Sequence, residues 1–348
     1  MISKVYASPN HKPVENAKVT GGISVLLKKA FLFFSFFIFT GLITAQAPYQ
    51  EIQNQYTELK TLTIDYDSLC SFKSQGDIIF YRKWGKSYIP ENHKVLLIIH
   101  GVGYHSYPFM KIMNYVDQDS ILVYAMDLRG HGLSGKTKGD LESNEKILTD
   151  IDNMVGIIKK ENPNSEIFIL GTSMGGLYSL GYLLSNKINS KLSGAILVCP
   201  AIKVDRSQAI QISNLKLLWL MIFNHSKPEI NIDGKKLEMS SINNEWNNSR
   251  RNDSLALHNV SVEYLQTIYK MQKWVKRKSD MSVLSSPVLI QHGGKDKIVD
   301  LKGSYFIKEN LINAKTELIV YPGSYHSMFW DNDSNQILGD IAHWIIKN

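Results

Sequence analysis

Ser173 stands in the pattern Gly-x-Ser-x-Gly at residues 171–175 and has the chemistry of a nucleophile. A serine hydroxyl attacks a carbonyl group when a nearby base takes its proton. Five mostly apolar residues, 166–170, come directly before the pattern and predict a buried strand, while the apolar stretch 177–184 has helical spacing. A serine on so tight a strand-to-helix turn is held in a strained conformation with its hydroxyl exposed. The flanking glycines are needed because side chains there would collide with the turn.

A base for this serine follows the last predicted core strand. His326 comes shortly after the strand 316–321, downstream of Ser173. An acid between the two would complete the order serine, acid, histidine that accompanies this kind of turn. We therefore expect His326 to take the proton of Ser173 as a general base.

Two aspartates, Asp296 and Asp300, follow the predicted strand 287–291 and are candidates for the acid. An acid here would fix the tautomer of His326 and stabilise its imidazolium. Asp296 is closer to the end of the strand, whereas Asp300 is placed to cap a helix that begins near residue 301. The sequence therefore favours Asp296.

Glycine-containing turns after two other strands supply further donors and charges. In the segment 100–103, the backbone N–H of Val102 would join the N–H of Met174 in holding a developing oxyanion. After the strand that ends near residue 126, Asp127 or His131 is an alternative catalytic group. The favoured interpretation is a structural loop whose charged groups pair to brace the site.

Apolar runs alternate with helical patterns along the chain, and these elements must position the candidate groups. The predicted strands cover residues 77–84, 94–100, 120–127, 166–170, 194–199, 287–291 and 316–321. The predicted helices cover residues 141–160, 177–184, 301–311 and 335–346, with two more at 215–223 and 264–275. This alternation predicts an α/β fold with a mostly parallel central sheet flanked by helices, with the chemistry beyond the carboxyl ends of the strands.

The alternation is interrupted at residues 201–283, which contain helical segments but no strand-like apolar run. We interpret this stretch as an inserted helical lid. It divides the core of the fold into a first part, residues 48–200, and a second part, residues 284–348.

The first 47 residues have the pattern of a targeting segment. The pair Lys28-Lys29 precedes an apolar run of about fourteen residues, 30–43, whereas a helix that spans a bilayer needs roughly twenty. Residues 45–47, Ala-Gln-Ala, form a small-x-small site of the kind that a signal peptidase cleaves. We predict cleavage after Ala47 and an exported mature chain, periplasmic or secreted. The alternative is a membrane anchor formed by residues 30–44.

The composition of the 348 residues is that of an ordinary globular protein, with 44% apolar and 20% charged residues. The net charge is +7, but residues 1–47 supply +4 of it through five lysines and one glutamate. No basic stripe with interleaved aromatic residues is left, which argues against a nucleic-acid partner. Two cysteines, Cys70 and Cys199, are too few for a zinc cluster, and the sequence leaves open whether they pair.

Together these motifs resemble the α/β-hydrolase superfamily, and within it the monoglyceride lipase-like, or serine aminopeptidase-type, serine hydrolases. The resemblance runs from about residue 77 to the end and is carried by five segments in the same order: His100–Ser106, Asp127–Ser134, Leu170–Gly176, Gln291–Asp296 and Tyr321–His326. It implies a triad of Ser173, Asp296 and His326, oxyanion donors at Val102 and Met174, and an inserted lid. Thr172 is a departure, because such enzymes usually carry histidine before the serine.

We therefore expect a serine hydrolase that cleaves small acyl esters, such as monoacylglycerols or lysophospholipid-like molecules, through an acyl-enzyme and without a metal or organic cofactor. The apolar run 215–223 favours an acyl chain or packs the lid onto the body. The lid would also allow transient contact with a membrane or lipid surface. One alternative is a peptidase that removes N-terminal residues, and another is a ligand-binding homologue without turnover. The acidic residues with which such a peptidase could hold the substrate amine are Glu229, Asp233, Glu238, Glu245, Asp253 and Glu263.

Overall fold

An eight-stranded sheet forms the centre of the protein in the computed structural model of this chain. The structure describes residues 66–86, 93–185, 192–204, 214–233, 239–277 and 283–348, together with Tyr56, Leu59, Ile64 and Met281. The predicted export signal or anchor, residues 1–47, lies outside the described residues.

Most strands of the sheet are parallel. The strands along the chain are Tyr66–Ser74 (β1), Asp77–Gly85 (β2), Lys94–Ile99 (β3), Ile121–Met126 (β4), Glu166–Thr172 (β5), Gly194–Val198 (β6), Ile230–Asn231 (β7), Asn259–Val260 (β8), Val288–Gly293 (β9) and Thr316–Tyr321 (β10). The order in the sheet is β1-β2-β4-β3-β5-β6-β9-β10. Strand β2 is antiparallel to β1 and β4, and every other pairing in the sheet is parallel. The predicted α/β fold is confirmed.

Helices flank this sheet and also fill the insertion. They are Asn144–Glu161 (α1), Met174–Leu183 (α2), Asn214–Phe223 (α3), Asn244–Asn252 (α4), Val262–Arg277 (α5), Lys302–Asn310 (α6) and Ser334–Lys347 (α7). Within the described part of the chain, none of the helices is both long and apolar enough to cross a membrane.

Burial explains why the central strands read as continuous apolar runs in the sequence. Every residue of β4 is buried, and so is every residue of β3 after the first. Parallel strands that are covered on both faces have this pattern.

Local capping shifts one helix start from its predicted position. Helix α1 begins at Asn144 rather than at residue 141, because Ser143 has extended backbone and its hydroxyl accepts a hydrogen bond from the backbone N–H of Lys146.

The insertion between β6 and β9 contains one helix and one two-stranded ribbon that the sequence did not predict. Helix α4 carries a single large apolar residue, Trp246, among nine residues, so its helical period is hidden. Strands β7 and β8 form an antiparallel ribbon of two residues each, too short for a periodic signal.

The loop after β4 is tied to the first strands by a buried ion cluster. Arg129 donates from Nε and Nη2 to the carboxylate of Asp150 over 2.9 Å, and from Nη1 to Asp77. The Arg129 side chain is only 3% exposed. Buried charges are stable only when they are paired, so this cluster fixes the loop to α1 and β2.

Candidate active site

The turn between β5 and α2 holds Ser173 in a conformation that is rare for residues other than glycine. Its φ is 53° and its ψ is −114°, which costs on the order of 1–3 kcal/mol. A Cβ on Gly175 would overlap the carbonyl oxygen of Ile99, and one on Gly171 would lie 2.5 Å from the carbonyl oxygen of Gly175. Only glycine fits these positions, which is the reason that the sequence pattern suggests.

His326 lies within hydrogen-bonding distance of this serine. The loop after β10 places its Nε2 2.9 Å from Ser173 Oγ and its Nδ1 2.7 Å from Asp296 Oδ2. Because an ionised carboxylate only accepts hydrogen bonds, the ring proton sits on Nδ1 and leaves Nε2 free to accept the serine proton. The structure thus brings the predicted nucleophile, acid and base together.

Asp296 is a buried carboxylate with a full set of partners. Its side chain is 1% exposed, and its Oδ1 accepts hydrogen bonds from the backbone N–H groups of Ile298 and Val299 over 2.8 and 2.9 Å. Burial alone would raise the pKa of this carboxyl, but the attraction and hydrogen bond of His326 outweigh burial and the pKa is lowered. Asp296 is therefore ionised at neutral pH and can orient the imidazole.

Asp300, the alternative acid, has other partners. Its Oδ2 lies 2.8 Å from Lys203 Nζ, and its Oδ1 accepts a hydrogen bond from the backbone N–H of Lys302 at the start of α6. The N-cap of α6 is Leu301, so Asp300 lies one residue before the capping position that the sequence suggested and bonds to the first residue of the helix.

The turn after β3 lies directly against the nucleophile. A Cβ on Gly101 would lie 3.0 Å from the Cβ of Ser173. The next residue, Val102, and Met174 at the N-terminus of α2 both line the cavity beside the serine. The two residues predicted to supply oxyanion N–H groups are thus both placed at the nucleophile.

The alternative catalytic groups Asp127 and His131 make hydrogen bonds with other partners. Asp127 accepts two backbone hydrogen bonds, of 2.7 Å from Ser106 after β3 and of 2.8 Å from Leu133 in its own loop. His131 Nε2 lies 3.0 Å from the hydroxyl of Tyr264, and burial lowers the pKa of His131 to about 3. His131 is therefore neutral at physiological pH, and both residues hold the loops around the site.

A cavity of about 360 Å³ borders Ser173 and His326. This volume is within the usual range for small-molecule sites. Its walls are mainly apolar, and the insertion supplies many of them, including Ile232, Leu265 and Ile268.

Several residues of this cavity were not predicted from the sequence, among them Tyr104, Arg250 and Tyr264. The amphipathic pattern of α5 was a signal for Tyr264, because one face of that helix had to be buried. No sequence signal pointed to Arg250, which lies on the polar helix α4.

Cys199 lies beside the acid and the base. The ligand atoms of Cys199, Asp296 and His326 lie within 4.8 Å of one another. Metal binding would require the thiolate, but burial and the nearby charge of Asp296 raise the pKa of this thiol well above its usual value. The arrangement therefore suits proton transfer better than metal binding. Cys199 and Cys70 are both free thiols, so they do not pair.

Comparison with known proteins places the chain among hydrolases. Residues 90–333 match the family model described as serine aminopeptidase, S33. The chain is 25% identical over 281 residues to a monoacylglycerol lipase of Mycolicibacterium smegmatis. This alignment covers 80% of this chain and 96% of that protein. It is also 25% identical over 279 residues to the monoglyceride lipase of Rattus norvegicus, with 78% of this chain and 88% of that protein covered.

Solved structures share the fold. A soluble variant of monoglyceride lipase from Saccharomyces cerevisiae, in complex with a substrate analog, aligns with a TM-score of 0.71 at 23% identity over 82% of this chain and 96% of that one. The monoacylglycerol lipase of Paleococcus ferrophilus aligns with a TM-score of 0.63 at 21% identity, over 77% of this chain and 98% of that one.

The two aspartates after β9 provide a matched test of the site. We expect Asp296→Asn to lower kcat for ester hydrolysis by about 10⁴-fold, because an amide can hold His326 in the wrong tautomer. Asp300→Asn removes a carboxylate of the same loop and should leave kcat near the wild-type value. Steady-state kinetics on a soluble chromogenic ester measures both, and equal losses in the two variants would contradict the assignment.

Proposed function

The chain belongs to the serine aminopeptidase, S33, family of α/β-hydrolases, and we propose that it cleaves carboxylic esters of acyl chains through an acyl-enzyme on Ser173. The substrates are small acyl esters of the monoacylglycerol or lysophospholipid kind.

The reaction proceeds in two halves. His326 takes the Ser173 proton as the hydroxyl oxygen attacks the ester carbonyl, and the N–H groups of Val102 and Met174 stabilise the oxyanion. His326 then gives the proton to the leaving alcohol, which leaves the acyl group on the serine. In the second half, His326 takes a proton from water, the hydroxide oxygen attacks the acyl carbonyl, and the fatty acid leaves as the serine regains its proton.

The observation that carries the proposal is the apolar cavity that borders Ser173. Each methylene group that moves from water into such a cavity contributes about 0.8 kcal/mol, so an acyl chain is bound without specific polar contacts. The relatives named as monoacylglycerol and monoglyceride lipases agree with this substrate class.

The peptidase alternative has less support, because its substrate amine would need a carboxylate in the cavity. Of the candidate acids in the insertion, Glu238 lies outside the described residues, and none of the other five lines the cavity. Asp233, for example, pairs with Arg250 and His258, and Asp253 pairs with His105.

Ester and amide substrates separate these functions. We expect the purified chain to hydrolyse monoacylglycerols and p-nitrophenyl acyl esters, while aminoacyl p-nitroanilides react far more slowly. Ser173→Ala should abolish turnover and labelling by a fluorophosphonate probe, because the acyl-enzyme cannot form. Circular dichroism serves to check that the variant is folded. Faster turnover of the anilides would favour the peptidase, and a folded wild-type chain without turnover or labelling would favour the ligand-binding homologue.

We further propose that α3 contacts a lipid surface. This helix packs against α5, which lines the cavity, and it buries Leu220 while it exposes a row of large apolar side chains. They are Leu215, Leu218, Trp219, Met221, Ile222 and Phe223. An exposed apolar helix face rarely occurs without a partner, and a bilayer would be both that partner and the source of acyl esters.

A triple serine variant tests this contact. Leu215, Ile222 and Phe223 are 80%, 61% and 68% exposed, and burial of each such side chain in lipid contributes up to about 1.5–3 kcal/mol. We expect the variant to bind phosphatidylcholine vesicles at least about tenfold more weakly in a sedimentation assay, with unchanged turnover of a soluble ester. Ile312→Ser, which changes a 75% exposed residue outside the insertion, is the control. Binding equal to that of the wild type would exclude this role of α3.

The N-terminal pattern leads us to propose that the mature chain is exported. Expression of the full sequence in a secreting host, followed by intact-mass spectrometry, should give a chain that begins at Pro48. A full-length chain in the membrane fraction would instead support the anchor formed by residues 30–44.

A further inference from the structure

Residues 239–260 of the insertion, here called the brace segment, bind the loop that carries His326. The backbone N–H of Ser327 donates to the carbonyl oxygen of Ser240 over 2.6 Å. The rings of Trp246 and Trp330 stack at 5° with centroids 3.7 Å apart. A polar and an aromatic contact thus join this segment to the residues directly after the base.

The same segment binds the turn that follows β3. The backbone N–H of Leu257 donates to the carbonyl oxygen of Gly103 over 3.2 Å. Asp253 Oδ2 lies 2.7 Å from His105 Nε2, and neither side chain is more than 1% exposed. One stretch of the insertion therefore holds both the His326 loop and the turn after β3, here called the oxyanion turn because it contains Val102.

The side chain of Arg250 packs directly against the oxyanion turn. Gly103 has a φ of +80°, and a Cβ there would overlap the guanidinium of Arg250. The guanidinium carbon lies 5.4 Å from the centroid of the Tyr104 ring, and the Tyr104 hydroxyl shares a hydrogen bond of 2.9 Å with Ser327 Oγ. Arg250 thus touches the turn directly and reaches the His326 loop through Tyr104.

The charge of Arg250 already has a partner. Nη1 donates to Asp233 Oδ1 over 2.8 Å, and Nη2 donates to the carbonyl oxygen of Leu257 over 3.2 Å. The side chain is 5% exposed. A paired and buried guanidinium is better suited to hold backbone in place than to attract a charged substrate.

We propose that Arg250 is a positioning residue for ester hydrolysis, which sets the Gly103–Tyr104 backbone so that the N–H of Val102 points at the oxyanion. This role rests on the proposed function. An oxyanion donor acts only at hydrogen-bonding distance from the charge that develops, and a misplacement of about 1 Å can lower the rate 10²-fold. The planar guanidinium packs against Gly103 and Tyr104 in a way that a lysine cannot reproduce.

The test compares Arg250→Ala with Arg251→Ala, which removes an exposed arginine from the same helix. We expect Arg250→Ala to lower kcat for a soluble acyl ester by about 10²-fold with little change in KM. The rate of fluorophosphonate labelling should fall in parallel, and Arg251→Ala should behave as the wild type. Added methylguanidinium should restore part of kcat in Arg250→Ala, because the truncated side chain leaves a space that opens to the cavity.

A second variant guards against misfolding. Arg250→Lys keeps the charge beside Asp233 but lacks the planar group, so it should fold and still show the lower kcat. A wild-type kcat in Arg250→Lys or in folded Arg250→Ala would overturn the proposal. A loss that appears as a raised KM with kcat unchanged would also overturn it and make Arg250 a substrate-binding group.

Labelling separates failure of this inference from failure of the proposed function. A wild-type chain that is labelled but hydrolyses no acyl ester contradicts the ester substrate, and the labelling rates of the variants still decide the role of Arg250. Ester hydrolysis by the wild type together with wild-type rates in both Arg250 variants contradicts the positioning role alone.

Discussion

The hydrogen bond between Ser173 and His326 depends on three strands that end at the same edge of the sheet. Strands β5, β9 and β10 are parallel to their neighbours, so the residues that follow them emerge on one side. Residues that are far apart in the sequence can therefore meet at this edge. Short turns place His326 Nδ1 2.7 Å from Asp296 Oδ2 and His326 Nε2 2.9 Å from Ser173 Oγ. Burial of Asp296 and the strained backbone of Ser173 are tolerated because the surrounding sheet leaves these residues no other arrangement.

The insertion completes this site in two different ways. Its helix α5 and Ile232, the residue directly after strand β7, supply apolar walls of the cavity, whereas residues 239–260 hydrogen-bond to the loops that carry His326 and Val102. The buried pair of Asp253 and His105 belongs to the second kind of contact. Asp253 Oδ2 also accepts a hydrogen bond from the hydroxyl of Tyr56 over 2.6 Å, so loss of Asp253 would remove a buried partner from both residues. The apolar face of α3 lies on the other part of the insertion, outside these polar contacts. The exposed apolar face of the insertion and its contacts with the loops of the site thus lie in separate parts of one stretch of chain.

The sequence predicted the sheet and the three central residues because both depend on local signals. Continuous apolar runs mark strands covered on both faces. The Gly-x-Ser-x-Gly pattern predicts a tight turn, because such a turn leaves room only for glycine beside the serine. Asp296 was preferred to Asp300 because it is fewer residues away from the end of the strand, and this number can be read directly from the sequence. The contact of Arg250 with Gly103 has no such local signal. It joins a polar helix without apolar period to a turn far away in the chain, and only the packed structure brings them together.

The walls of the cavity also affect the chemistry beyond binding. Charge that develops on an ester carbonyl is stabilised more strongly by fixed N–H groups when apolar side chains exclude water, because the effective dielectric constant is lower. Here the N-terminus of α2 points its partial positive charge at the same position, since Met174 is its first residue. An apolar insertion above a helix N-terminus therefore serves both ends of the substrate. In the proposed reaction, it binds the acyl chain and strengthens the interaction of the oxyanion with the N–H groups of Val102 and Met174.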